Sequence, residues 1–497
     1  MVAKNKSPVA GAALAMEREA FRRLGERAIA LAADHIADRP AQPAHRAVPL
    51  ERRRRILGEA LPESGMDADA ILDRLADDLL TYPFGNDHPR YFGYVVTAPA
   101  PIGILADILA RTANSPGSGE DHGGLYLHYA ATRWVKELIG FPADGSMGLL
   151  VPGGSTANLT ALAVARHAAA KADGWDVRAG GMQGGHKPMV LYATAEAHSC
   201  VRKSIELLGI GSANLRTVAT DSDYRMDLAA LKAAIAADRA AGRRPFCVVA
   251  SAGTVNTGAV DPLAEIADIC AAEGIWLHVD GAYGAFGCLD PATAPRYAGM
   301  ERADSVALDP HKWLGVPVDC GCVLVRDGTA QRAAFSLVPD YLSGADAVDA
   351  DTVRWPMEFG FDLTTPVRAA KLWAVIAHMG RKGVARMVTT HIAMARRLGA
   401  LVEARAELEL LAPVMLSVVC FRYRPAGWAA DDQRLDRLNQ AVVDALNADG
   451  TYHITPTRLE GRLCLRACLI NYRTTDADVD GLPDHVAAIG AQVARQF

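Results

Sequence analysis

The chain has 497 residues, half of them hydrophobic and 22% charged, with a formal net charge of −5. That length allows a large core and more than one domain, while the small, evenly spread charge offers no basic stripe for nucleic acid and no polybasic face for a membrane surface. The nine cysteines lie scattered in apolar stretches, and Cys320-x-Cys322 is too short a spacing for zinc, so no metal and a reducing, cytoplasmic setting are expected.

Lys4 and Lys6 ahead of the Ala/Gly-rich run from Pro8 to Met16 only faintly resemble a signal peptide, because the run leads straight into a charged amphipathic helix around 17–31. No apolar run is long enough to span a bilayer. Residues 1–90 read as a helical arm, broken at Arg39-Pro40-Ala41-Gln42-Pro43 and at Tyr82-Pro83. Such an arm cannot bury its own faces and is expected to pack on another subunit, as in a homodimer. Arg52 to Arg55 share a helix with Glu51 and Glu59 and read as a solvated face.

Between 91 and 384, apolar stretches at 149–152, 189–193, 247–251, 276–280, 305–308 and 320–325 alternate with helical patterns. The alternation predicts an α/β domain whose mostly parallel sheet is flanked by helices. The Gly-rich run 180–185 reads as a surface loop, since no helical pattern follows it. Residues 385–497 read as a smaller C-terminal α+β domain, with a long helix through Met394 and Leu398 and strands at 415–423 and 462–469.

Chemistry-bearing residues fall at the ends of these strands. Val151-Pro152-Gly153-Gly154-Ser155-Thr156 opens a good helix former with free amides and two hydroxyls, an arrangement suited to a phosphate. No Gly-Lys-Ser/Thr follows, so it is not a P-loop. His198 stands at a strand-to-helix junction, where it lies flat on a ring or caps the helix, and Thr254 sits just after the next strand. Asp280 ends a buried strand and is followed by Gly281 and Ala282, which leave room for a flat ring. Lys312, in Asp309-Pro310-His311-Lys312-Trp313, is an amine among mainly apolar neighbours, the setting of a lysine that forms Schiff bases, most often with pyridoxal phosphate (PLP).

In this order these residues resemble the group II PLP-dependent decarboxylases of aromatic amino acids, histidine and glutamate. The likeness covers nearly the whole chain, including His88-Pro89-Arg90-Tyr91-Phe92-Gly93-Tyr94 and Leu463 to Asn471. It implies the PLP-dependent aminotransferase-like fold (fold type I) with a seven-stranded sheet. It also implies that Lys312 binds the cofactor covalently, Asp280 pairs with the pyridine nitrogen and His198 stacks on the ring. Thr254 and Ala282 then contact the cofactor, Gly154 and Ser155 hold its phosphate, and His311 lies beside it near the substrate. Tyr94 and Thr97 fall where the family contacts an amino acid substrate, and Tyr91, Phe92 and Tyr94 hint at an apolar or aromatic side chain.

Two segments depart from the family pattern. Leu125-Tyr126-Leu127-His128 replaces a Thr-x-Leu-Glu-like run, and between Ser336 and Trp355 the sole Tyr is Tyr341, upstream of the position where relatives place a proton-donating phenol; Thr352 falls nearer that position. Decarboxylation of an L-amino acid to the amine is the expected reaction. The alternatives are decarboxylation coupled to oxidative deamination, transamination or β-elimination, and, in another class, a non-catalytic binding protein of the same fold.

Overall fold

The computed structural model describes residues 14–117, 121–337, 354–428 and 431–497. Helices α1 (Arg18–Asp38), α2 (Leu50–Leu57) and α3 (Ala68–Leu75) precede α4 (Pro101–Ala113), α5 (Gly123–Ile139) and β1 (Met147–Val151). Next come α6 (Gly154–Ala172), α7 (Val177–Gly180), β2 (Met189–Thr194), α8 (Ser199–Leu207), β3 (Leu215–Val218), α9 (Leu228–Ala240) and β4 (Arg244–Ser251). They are followed by α10 (Leu263–Glu273), β5 (Trp276–Asp280), β6 (Ser305–Leu308), β7 (Gly321–Val325) and α11 (Gly328–Phe335). The last part holds α12 (Arg368–Glu403), β8 (Leu408–Leu410), β9 (Val418–Tyr423), α13 (Asp432–Asp449), β10 (Thr455–Leu459), β11 (Arg462–Cys468) and α14 (Asp476–Ala494).

The larger sheet has seven strands in the order β1-β7-β6-β5-β4-β2-β3. Only β7 runs against its neighbours; β2, β3, β4, β5 and β6 pair in parallel. Every residue of β1, β2, β6 and β7 is buried, as it must be when helices cover both faces of a sheet. The parallel strands send their C-terminal ends to one edge, where an open α/β sheet binds its ligands. The smaller sheet is antiparallel, β10-β11-β9-β8, and packs Phe421 and Leu465 against Leu435, Val442 and Leu482.

Six of the seven strands of the larger sheet lie where the apolar runs place them. The strands that the pattern misses, β3, β8 and β10, are all edge strands. Two of them are short, and β10 carries Pro456, a residue that sheets tolerate only at an edge. The helix expected from about 385 instead starts at Arg368 and breaks at Gly380, whose φ of 63° is outside the helical region.

In the arm, α1 buries only Leu24, and α2 and α3 bury none of their residues. Phe21, Leu57 and Leu79 are exposed there. Arg52 and Arg55 pair with Asp78, and Arg27 with Asp69 and Asp73, so the arm's cations are largely neutralised within it.

Candidate active site

A cavity of about 410 Å³ opens over the C-terminal ends of β4, β5 and β6. Gly154, Ser155, His198, Thr254, Asp280, Ala282, His311 and Lys312 all line it. The elements explain the convergence. α6 begins immediately after β1, with Gly153 extended and no side chain capping its first amides. A Cβ on Gly154 would come within 2.7 Å of Asp309 Oδ2 and 2.9 Å of the Ala282 methyl, so a larger residue would push the helix end away from the turns after β5 and β6. Gly321 plays the same part from β7: a Cβ there would stand 2.5 Å from Gly153 Cα.

Each polar group is held by its own turn. Asp280 is buried at the end of β5 and accepts the Ala282 amide at 3.1 Å. His198 caps α8, its Nδ1 accepting the Cys200 amide at 3.2 Å, while His311 Nδ1 accepts the Cys320 amide at 3.1 Å. These bonds assign the ring proton to Nε2 in both histidines. Burial lowers both imidazoles, against the opposing pull of Asp280 on His198 and of Asp309 on His311. Thr254 is buried, shares a 2.9 Å hydrogen bond with the Thr257 hydroxyl and accepts the Ala259 amide.

Lys312 does not sit among apolar groups. Its Nζ lies 2.9 Å from Asp309 Oδ2, a correction to the setting read from the motif. The adjoining Trp313 is fully buried, stacks on Tyr283 at 5.3 Å and donates to His391 Nδ1, which anchors the turn below the cavity. A buried relay braces α6 from beneath: Asn158 donates to the Gly154 carbonyl, its Oδ1 meets His278 Nε2 at 2.8 Å, and His278 Nδ1 meets Ser305 Oγ at 2.9 Å.

Tyr94 and Thr97 are not on the cavity wall of this chain. Thr97 is buried and donates to the Ile470 carbonyl, while Tyr94 is half exposed with its ring against Phe84. His128, in the first departing segment, is buried with Nε2 3.0 Å from the Gly148 carbonyl. Tyr341 and Thr352 lie outside the described residues. Motif reading missed Asp309, Asn158 and Glu196. Asp309 could have been flagged by its position three residues before Lys312; Glu196, also on the cavity wall, is held by Asn256 Nδ2 at 3.0 Å, a contact with no local signal.

These donors suit pyridoxal phosphate: uncapped amides at a helix N-terminus for an anion, a lysine for an aldehyde, and a buried carboxylate for a ring nitrogen. The fold and the cavity together define a fold type I PLP enzyme. The pyridoxal-dependent decarboxylase conserved domain matches residues 49–424, and the chain belongs to that family. It is 32% identical over 490 residues to an aromatic-L-amino-acid decarboxylase of Bacillus atrophaeus, covering 97% of this chain and 98% of that protein. It is also 32% identical to an L-2,4-diaminobutyrate decarboxylase of Rhizobium meliloti, over 88% and 84% of the two chains. The crystal structure of Oryza sativa TDC with PLP and tryptamine superposes with a TM-score of 0.90 at 26% identity, over 96% of this chain and 99% of that one. The protein is a PLP-dependent carboxy-lyase acting on an amino acid.

Proposed function

We propose that this enzyme decarboxylates an aromatic L-amino acid to its amine, with Lys312 and Asp280 as the two groups that grip the cofactor. The observation that carries the assignment is that both line one cavity beneath the open N-terminus of α6. When bound, PLP supplies the electron sink that lets the bond to the α-carboxylate break. Gly154 and Ser155 seat the phosphate on helix amides. Asp280 would keep the ring nitrogen protonated, and His198, Thr254 and Ala282 would hold the ring. His311, neutral with its proton on Nε2, stands where it can donate to the substrate. The aromatic side chain is supported by the Bacillus and Oryza relatives.

The same proposal places Tyr94 and Thr97 at a substrate pocket completed in a homodimer. The exposed apolar residues of α1 to α3 support that assembly, because a monomer leaves them in water. The working units are then the arm (1–90), the PLP domain (91–384) and the small domain (385–497), in a cytoplasmic enzyme. Among the described residues no helix is long and apolar enough to cross a membrane.

A panel of L-amino acids assayed for carbon dioxide, amine, ammonia and peroxide tests the reaction. Amine and carbon dioxide from tryptophan, tyrosine or phenylalanine are expected. Aldehyde, ammonia and peroxide together would replace the reading with oxidative deamination, the alternative favoured by Tyr341 being the sole phenol between Ser336 and Trp355. Lys312→Ala is expected to abolish both the visible cofactor band and turnover.

A further inference from the structure

Asp309 is the one carboxylate of the cavity in ion-pair contact with Lys312 among the described residues, with Oδ2 2.9 Å from Nζ. Its side chain is 3% exposed, and its Oδ1 is buried without a hydrogen-bond partner among the described residues. The carboxylate is also fixed in place. The Asp309 amide donates to the Ala282 carbonyl, its carbonyl accepts the Lys312 amide, and its Oδ2 packs against Gly154 at the mouth of α6. A buried acid with one oxygen unspoken for is costly unless it has a charge to face, and here that charge is the lysine.

We propose that Asp309 is a positioning residue for Lys312: it is the resting partner of the amine, holding it in an ion pair at the cofactor seat whenever the nitrogen is not covalently engaged. This rests on the assignment of Lys312 as the residue that binds PLP. The nitrogen must leave this contact and give up a proton to water before its lone pair can attack an aldehyde. Condensation follows with balanced atoms, amine plus aldehyde giving imine plus one water. Other titratable groups surround the pair: His311, with Nε2 3.8 Å from Asp309 Oδ2; His198 and Cys200 at the start of α8; Asp280 on β5; and Cys320 and Cys468 from the turn before β7 and from β11.

The test is the rate at which cofactor-free protein captures added PLP, followed by the growth of the visible band at pH 7 and at pH 10.5. Asp309→Asn keeps the shape and removes the charge. At pH 7 it is expected to capture PLP on the order of tenfold faster than the parent, because its amine is no longer held in the ion pair. At pH 10.5, where a free lysine amine is about half neutral, the difference should narrow. Equal rates at pH 7, or an advantage that does not narrow at pH 10.5, would overturn the proposal, the latter pointing to a new contact of the Asn amide with phosphate. Failure of the parent protein to form any band would instead refute the assignment of Lys312. Should Asp309→Asn fail to fold by circular dichroism, acetylation of Lys312 by acetic anhydride, compared with that of exposed Lys203 in the same cofactor-free parent, decides: Lys312 must react more slowly at pH 7 by a margin that narrows at pH 10.5, and an equal rate or a margin that does not narrow overturns the pairing.

Discussion

Asp280 closes β5 with a carboxylate that the Ala282 amide orients and the strand buries. Under the proposed roles, replacing it with Ala removes the acid that keeps the ring nitrogen protonated but leaves Lys312 able to capture the cofactor. Asp280→Ala is therefore expected to retain a visible band and to lose on the order of a hundredfold in kcat, about 2.7 kcal/mol of barrier. Absorbance and steady-state kinetics on one preparation separate the two effects, and an unchanged kcat would exclude the role. Asp280 and Lys312 were legible in sequence because each sits at a local signal, a strand end or a Pro-punctuated turn. Asn158 was not: its partner His278 is 120 positions away, and no local pattern reports that distance.

At the scale of elements, the cavity depends on how closely β7 lets the start of α6 approach. Gly321→Ala would place a methyl 2.5 Å from Gly153 Cα, although Gly321 itself is not on the cavity wall. The expected result is a stability loss of about 1–3 kcal/mol from overpacking and a weakening of PLP binding on the order of tenfold as the helix mouth shifts. Chemical denaturation and cofactor titration measure the two; normal PLP affinity would show that the mouth of α6 tolerates the displacement. The central strands were readable because burial on both faces makes them continuous apolar runs. The edge strands β3, β8 and β10 were not, since none is buried along its whole length and β10 admits a proline.

For the whole molecule, three buried histidines on different elements set a common acid limit. Burial pushes His128, His278 and His391 down to about 4, so each stays neutral in the folded chain. Unfolded, each takes up a proton below about pH 6.5 that the native state refuses. Stability is thus fully present above about pH 6.5 and is lost as pH falls toward 4, by up to about 3 kcal/mol per histidine. Denaturation midpoints at pH 7, 6, 5 and 4.5 should fall steadily, and the fall should lessen in His128→Gln; a flat profile would contradict the buried neutral state. Assembly is read at the same scale. A dimer of 52.8 kDa chains has a mass of about 106 kDa by light scattering, and Phe21→Glu with Leu57→Glu should reduce it to the monomer if the arm is the docking surface.

Periodicity, turn chemistry and motif order in the chain were enough for the α/β class, the central strands, the family resemblance and the residues that stand at strand ends. These are local properties, since a strand's burial and a turn's geometry are written in neighbouring residues. Only the tertiary structure decided that Lys312 faces Asp309, that Asn158 ties α6 to β5 through His278, and that Tyr94 and Thr97 stand off the cavity wall. Such pairings arise when distant segments are packed at fixed distance, and the energy that selects them comes from burial and hydrogen bonding summed over the fold.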